Sequence, residues 1–126
     1  TYQYRILMTP NPDPFRAPYV WHVPWSNALD IQKIRRVSKQ WIGRKDFAAF
    51  TIRAAKKHRT RRHMKSILIR RVGDELRMTF VADSFLHRMI RRMVAVLVDI
   101  GSGKNVSKPA YAAPACGLCL MKVDYR

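Results

Sequence analysis

The chain has 126 residues, 48% of them hydrophobic, and a formal net charge of +17 from 25 Lys and Arg against 8 Asp and Glu. This length suffices for one domain, residues 1–126, with its own core, and no stretch approaches the ~20 apolar residues of a membrane span. So large a positive excess predicts a polyanionic partner, and nucleic acid is the expected one.

Two extended segments and a proline-rich loop open the chain. Residues 2–8 alternate in polarity and are rich in β-forming side chains, which predicts a strand. Residues 9–15 contain three prolines and therefore favour a loop. Residues 19–23 predict a second short strand or extended segment.

A helix is predicted to follow. Asp30 can cap its start, and Gly43 can end it after about Ile42. Its expected inward side chains are Ile31, Ile34, Val37 and Trp41. Residues 46–50 predict a short helical turn in which Asp46 hydrogen-bonds locally.

A β-hairpin and a closing strand are also predicted. Residues 64–71 and 76–82 are two β-rich runs separated by a turn that contains Gly and Asp. A final strand is expected over residues 118–125. The order of strands, helices and hairpin predicts an α+β fold, a mainly antiparallel sheet with helices packed on one face.

The most informative pattern is one long amphipathic helix within residues 85–104. Asp83 or Ser84 can cap its start, and Gly101 can close it in a left-handed turn. The core stripe at helical spacing is Leu86, Met89, Ile90, Met93, Val94, Leu97 and Ile100. The expected wet face carries Arg88, Arg92 and Asp99.

Arg91 lies on the flank of that stripe, where Val94, Ala95 and Val98 follow at helical spacing. Burying an unpaired guanidinium is costly, so an arginine buried at this position would need an anionic partner. The alternative is an arginine whose stem packs on the apolar strip while its head stays in water.

Positive charge is concentrated in one stretch. No acidic residue occurs between Phe47 and Gly73, whereas a solvated surface usually mixes signs. Residues 53–63 lack an apolar period and predict a surface loop or extended arm. The predicted nucleic-acid contacts are Arg53, Lys56, Lys57, Arg59, Arg61, Arg62 and Lys65.

The two cysteines, Cys116 and Cys119, have the spacing of half a zinc site or a redox pair. A second pair is lacking and the motif runs into a strand pattern rather than a helix. We therefore predict no metal site.

Four sequence blocks occur in the order of a known protein family and together span nearly the whole chain. They are Tyr-Gln-Tyr-Arg-Ile at 2–6, Leu-Asp at 29–30 with Ile-Gly-Arg-Lys-Asp-Phe-Ala-Ala-Phe at 42–50, Phe-Leu-His-Arg-Met-Ile-Arg-Arg-Met-Val at 85–94, and Ala-Pro-Ala-Cys-Gly-Leu-Cys-Leu at 113–120 with Val-Asp-Tyr at 123–125. Together they resemble the second half of the TruA-type tRNA pseudouridine synthases.

The resemblance implies one half of a pseudouridine synthase fold, no cofactor, and RNA (tRNA or rRNA) as substrate. It assigns catalytic roles to Tyr2, which can stack on the target base, and to Arg91, which pairs with a catalytic Asp. That Asp belongs to an Arg-Thr-Asp-like loop, and no Asp of this sequence lies in such a motif. The Asp-bearing half is therefore expected outside the given sequence. Phe85 is either a second stacking wall or a packing residue.

Two functions follow from this resemblance. The first is the RNA-binding C-terminal half of a working pseudouridine synthase. The second is an inactive RNA-binding relative that serves as a structural component of a ribonucleoprotein such as a mitochondrial ribosome. The expected partners also include a second copy in a homodimer, and the charge favours the mitochondrial matrix over the cytoplasm.

Overall fold

The structure is a computed structural model that describes residues 1–25, 28–51 and 60–121. In those residues six strands form one mixed sheet, and two α-helices pack on one of its faces. The strands are β1 (Tyr2–Leu7), β2 (Trp21–His22), β3 (Gly43–Asp46), β4 (Arg61–Val72), β5 (Glu75–Ala82) and β6 (Leu118–Leu120). The helices are α1 (Ile31–Lys39) and α2 (Met89–Gly101).

The sheet has the order β2, β1, β5, β4, β3. All of its pairs are antiparallel except β1 with β2. β5 pairs with the whole of β1, while β6 and β2 pair with its start and its end. The predicted α+β class is confirmed. No helix in the described parts of the chain is long and apolar enough to cross a membrane.

β4 and β5 form the predicted hairpin. Gly73 and Asp74 make a two-residue turn, in which Gly73 has a φ of +62°. β4 begins at Arg61, three residues earlier than predicted. A β-bulge next to Met64 shifts the alternation, so that Met64 and Ile69 are both buried although five positions separate them.

β3 is a strand that the sequence does not predict, because its four residues are largely polar and do not alternate. It forms by pairing with the first four residues of β4. The end of the predicted loop 53–63 is therefore a strand. Asp46 accepts a hydrogen bond from the backbone N–H of Ala48 at 3.0 Å, and a 3-10 turn follows at Ala48–Phe50. Both predictions for this segment are confirmed.

α1 begins as predicted. The Asp30 carboxylate accepts a hydrogen bond from the backbone N–H of Lys33 at 3.1 Å. Ile34 is fully buried, and the other expected inward side chains are half-buried against the core. The helix ends at Lys39, before the predicted Ile42.

α2 begins at Met89, later than predicted. The Asp83 carboxylate does not cap it, because it accepts hydrogen bonds from the backbone N–H groups of His63 at 3.1 Å and Ser84 at 2.8 Å. The residue that precedes the helix is instead Arg88, in the left-handed conformation with a φ of +57°. α2 thus begins without a hydrogen bond from a capping side chain.

The end of α2 also differs from the prediction. Gly101 is helical and lies where the helices touch, since a Cβ there would be 2.6 Å from Cδ1 of Ile34. The left-handed residue is Gly103, with a φ of +100°. Gly101 therefore permits helix packing, and Gly103 makes the turn.

The predicted core stripe of α2 is buried, except for Leu86, which precedes the helix and is half-buried. The predicted wet face is wrong in part, because Asp99 is only 7% exposed and Arg92 is half-buried. The segment around Tyr111 covers this side, and the Tyr111 hydroxyl donates to the Asp99 carboxylate at 3.2 Å.

An ion-pair network ties the loop after β1 to the β4–β5 hairpin. The buried Glu75 carboxylate accepts hydrogen bonds from Arg5 at 2.7 and 2.8 Å, from Arg16 at 2.8 Å and from Arg77 at 3.1 Å. Arg16 also bonds Asp13 and Asp74. The Arg5 hydrogen bond above all, with those of Arg16 and Arg77, lowers the pKa of Glu75 to about 2, although burial opposes the shift.

We expect Glu75 to make stability depend on pH in the acid range. Its pKa in the folded state lies below that of an unfolded chain, so its contribution is present above about pH 4.5 and is lost as pH falls toward 2. The contribution is about 3 kcal/mol. Urea unfolding between pH 7 and pH 2.5 should show a flatter pH dependence for Glu75→Gln than for the wild type.

Asp30→Asn is the control, because asparagine caps a helix as well as aspartate does. It removes one exposed carboxylate. If both variants and the wild type lose the same stability between pH 4.5 and 2.5, the Glu75 network does not carry the acid sensitivity.

Candidate active site

Tyr2 lies at the start of β1, with strands on both sides. It is in register with Phe80 of β5 and with Leu120 of β6. Its ring packs edge to face on Phe85, with ring centroids 5.1 Å apart and an angle of 87° between the planes. The structure therefore brings together two of the predicted site residues. A base-stacking role for Phe85 stays a prediction.

Two hydrogen bonds to the backbone of Ala113 hold Arg91 in place. Its Nε donates to the carbonyl oxygen of Ala113 at 2.6 Å, and its carbonyl oxygen accepts the N–H of Ala113 at 2.9 Å. Val94, Ala95 and Val98 are buried beside it, as the helical spacing predicts. Arg91 as a whole is half-buried, and the other nitrogens of its guanidinium make no hydrogen bond within residues 1–25, 28–51 and 60–121. The Nε of Arg91 is thus anchored, while its two terminal nitrogens have no hydrogen-bond partner in the described part of the chain.

Tyr4 fixes the segment that anchors Arg91. It is fully buried, and its hydroxyl donates to the carbonyl oxygen of Pro114 at 2.5 Å, one residue beyond Ala113. The Tyr4 ring fits only because residue 117 is glycine, since a Cβ there would be 2.6 Å from Cε1 and Cζ of Tyr4. Tyr4 and Arg91 thus hold adjacent carbonyl groups of one chain segment.

The protonation of Tyr4 suits this donor role. Burial raises the pKa of its phenol well above the usual range, and the charge of Arg91 opposes that shift in part. The hydroxyl therefore keeps its proton at any physiological pH. Tyr4, Trp21 and Tyr111 form an aromatic cluster with edge-to-face contacts. The ring centroids of Tyr4 and Trp21 are 6.3 Å apart, and those of Trp21 and Tyr111 are 6.4 Å apart. Burial, with Asp99 beside it, raises the pKa of Tyr111 to about 12.

Sequence reasoning missed Tyr4 and the segment around Ala113 as parts of the site. A signal was present in the spacing, because Tyr2 and Tyr4 are two residues apart and share one face of a strand. The contact of Ala113 with Arg91 joins residues 22 positions apart and had no local signal.

The predicted RNA contacts divide into two groups. Arg61, Arg62 and Lys65 lie at the start of β4, where Arg61 and Lys65 are exposed and Arg62 is half-buried. The Nη1 of Arg62 donates to the Arg61 carbonyl at 2.8 Å. The others lie outside the described residues, namely Arg53, Lys56, Lys57 and Arg59.

The cysteines are reduced and exposed. The Cys116 Sγ donates to the carbonyl oxygen of Val20 at 3.2 Å. In the described residues no group of three or more His, Cys, Asp or Glu side chains could hold a metal ion.

Comparison with known proteins shows which family the chain belongs to. A family model described as "tRNA pseudouridine synthase" matches residues 37–112, a region that contains Phe85 and Arg91. The chain belongs to the tRNA pseudouridine synthase family. The sequence is 36% identical to the tRNA pseudouridine synthase A of Methylobacterium nodulans over 137 aligned residues, which cover 98% of this chain and 53% of that protein. The predicted membership of the TruA family is confirmed.

Other pseudouridine synthases give the same result. The tRNA pseudouridine synthase A of Pelobacter propionicus is 33% identical, and that of Bacillus licheniformis is 31% identical. Each alignment covers 98% of this chain and 55% of the relative. The chain therefore spans about half the length of these synthases. Tyr2 lies outside the region matched by the family model.

Proposed function

We propose that this chain is the RNA-binding C-terminal half of a TruA-type pseudouridine synthase, which acts on tRNA or tRNA-like RNA together with an Asp-bearing half. One observation carries the proposal. The Nε of Arg91 is anchored on Ala113, so the open edge of its guanidinium is held in one direction. A planar fork fixed in this way suits bidentate pairing with a carboxylate.

The chemistry gives each residue a role. The glycosidic bond from uracil N1 to the ribose C1′ breaks, a bond from C5 to C1′ forms, and the C5 proton is lost as N1 gains one. Arg91 keeps the catalytic carboxylate ionised and oriented, since a neighbouring positive charge lowers the pKa of an acid. Tyr2 stacks on the target base or holds a proton in transit.

Isomerisation can be measured as release of tritium from C5-labelled uridine in a tRNA transcript. We expect release at catalytic rates from the protein at its full natural length. The second candidate is an inactive RNA-binding component of a ribonucleoprotein, which the net charge of +17 favours. RNA binding without any tritium release would reject the synthase and support that alternative.

A further inference from the structure

Three arginines form a row across the sheet face that lies opposite the two helices. Arg5 of β1 is in register with Arg77 of β5, and Arg77 is in register with Arg70 of β4. Their neighbours along each strand, such as Tyr4, Met78 and Ile69, are buried on the helix side. The row is invisible in the sequence, because its members are far apart along the chain.

The charges in this row are incompletely paired. Arg5 and Arg77 share the Glu75 carboxylate, and Arg77 bonds it only through Nε, at 3.1 Å. Arg70 is exposed and makes no ion pair among the described residues. Like charges directly opposite each other destabilise a sheet. The pair of Arg70 and Arg77 therefore costs stability unless an anion lies between them.

A depression of about 210 Å³ lies beside this pair. Its lining combines the two arginines with hydrogen-bonding and apolar side chains, namely Gln3, Leu68, Arg70, Val72, Arg77 and Thr79. Gln3 donates to the Thr79 hydroxyl at 3.4 Å across the floor. The site thus offers two guanidinium groups, which suit tetrahedral phosphate oxygens, beside the apolar side chains of Leu68 and Val72.

We propose that Arg70 and Arg77 bind a phosphate of the RNA backbone on this outer sheet face, which is opposite the face on which helix α2, with Arg91, packs. The identity of the polyanion rests on the proposed function, while the anion site rests on the strand register, the incomplete ion pairing and the depression. The contact adds affinity without reading sequence, because it is made to the backbone.

Arg70→Gln and Arg70→Glu test the site, and Arg71→Gln and Arg71→Glu are matched controls. Arg71 is also exposed, but it is in register with the buried Leu76 and its side chain leaves the strand on the other side. The probe is a fluorescent tRNA transcript titrated at several KCl concentrations. We expect Arg70→Gln to weaken binding several-fold and to lower the log–log salt slope by about 0.7–0.9 more than Arg71→Gln does.

Arg70→Glu should separate stability from binding. It places opposite charges across the strands and should raise the Tm, while RNA affinity falls further. Equal salt slopes for Arg70→Gln and Arg71→Gln would overturn the proposal. So would an Arg70→Glu protein that changes its oligomeric state in sedimentation while its salt slope is unaltered, because the face would then be a protein interface.

Two further measurements are needed. The first distinguishes RNA phosphate from inorganic phosphate as the ligand, and the second distinguishes the phosphate-site proposal from the synthase proposal. Inorganic phosphate that raises the Tm of the wild type but not of Arg70→Gln, with RNA binding equal in both, would contradict an RNA contact. Arg71→Gln should isomerise saturating RNA at the wild-type kcat. If the wild type shows no isomerisation but the salt slopes differ as expected, the phosphate site stands and the synthase proposal fails.

Discussion

Replacing Arg91 with alanine is expected to reduce the kcat for uridine isomerisation by on the order of 100-fold or more in the full-length protein. The substitution leaves the paired carboxylate without its cation, and breaking a buried pair in this way costs about 3–5 kcal/mol. RNA affinity should change little, because contacts to phosphates dominate it. Tritium release and fluorescence binding with the same transcript measure the two effects.

Arg91→Lys should recover little activity, since an ammonium group cannot donate both to Ala113 and, as a planar fork, to a carboxylate. Arg36 is the control, an exposed arginine in the last turn of α1, and Arg36→Ala should leave kcat unchanged. An Arg91→Ala protein that isomerises uridine at the wild-type rate would remove the basis of the synthase proposal.

Tyr4→Phe is expected to have the second largest effect on catalysis. It removes the hydrogen bond from the Tyr4 hydroxyl to the carbonyl oxygen of Pro114, at a cost of about 0.5–1.5 kcal/mol. Because Pro114 adjoins the residue that anchors Arg91, we expect kcat to fall by on the order of tenfold with KM nearly unchanged. The acid limb of the pH–rate profile should move to higher pH, since a displaced Arg91 lowers the carboxylate pKa less.

Tyr111→Phe is the matched control. It also removes a tyrosine hydroxyl that donates a hydrogen bond, here to the Asp99 carboxylate, from a tyrosine in the same aromatic cluster. It should cost stability but leave the pH–rate profile in place. If the two variants lose the same stability and show the same profile, Tyr4 has a structural role only and does not position Arg91.

The sequence predicted those helices, strands and turns whose conformation depends only on residues close together in the chain. The alternation of β1, the Asp30 cap and the turn at Gly73 and Asp74 need only neighbouring residues, and all three are observed. The core stripe of α2 was also readable, because helical spacing alone determines which side chains share a face. The family could be read too, since its motifs are contiguous blocks.

The rest depended on residues that meet only in the folded chain. β3 exists because β4 pairs with it, and the Asp83 carboxylate does not cap α2 because it accepts a hydrogen bond from His63 of β4. The direction of Arg91 is set by Ala113, and that segment is held by Tyr4 more than a hundred residues away in sequence. The sequence by itself determined which side chains carry charge and hydrophobicity and at what period. Tertiary structure alone decided which of them share a hydrogen bond or a sheet row, because register and loop position depend on long-range packing.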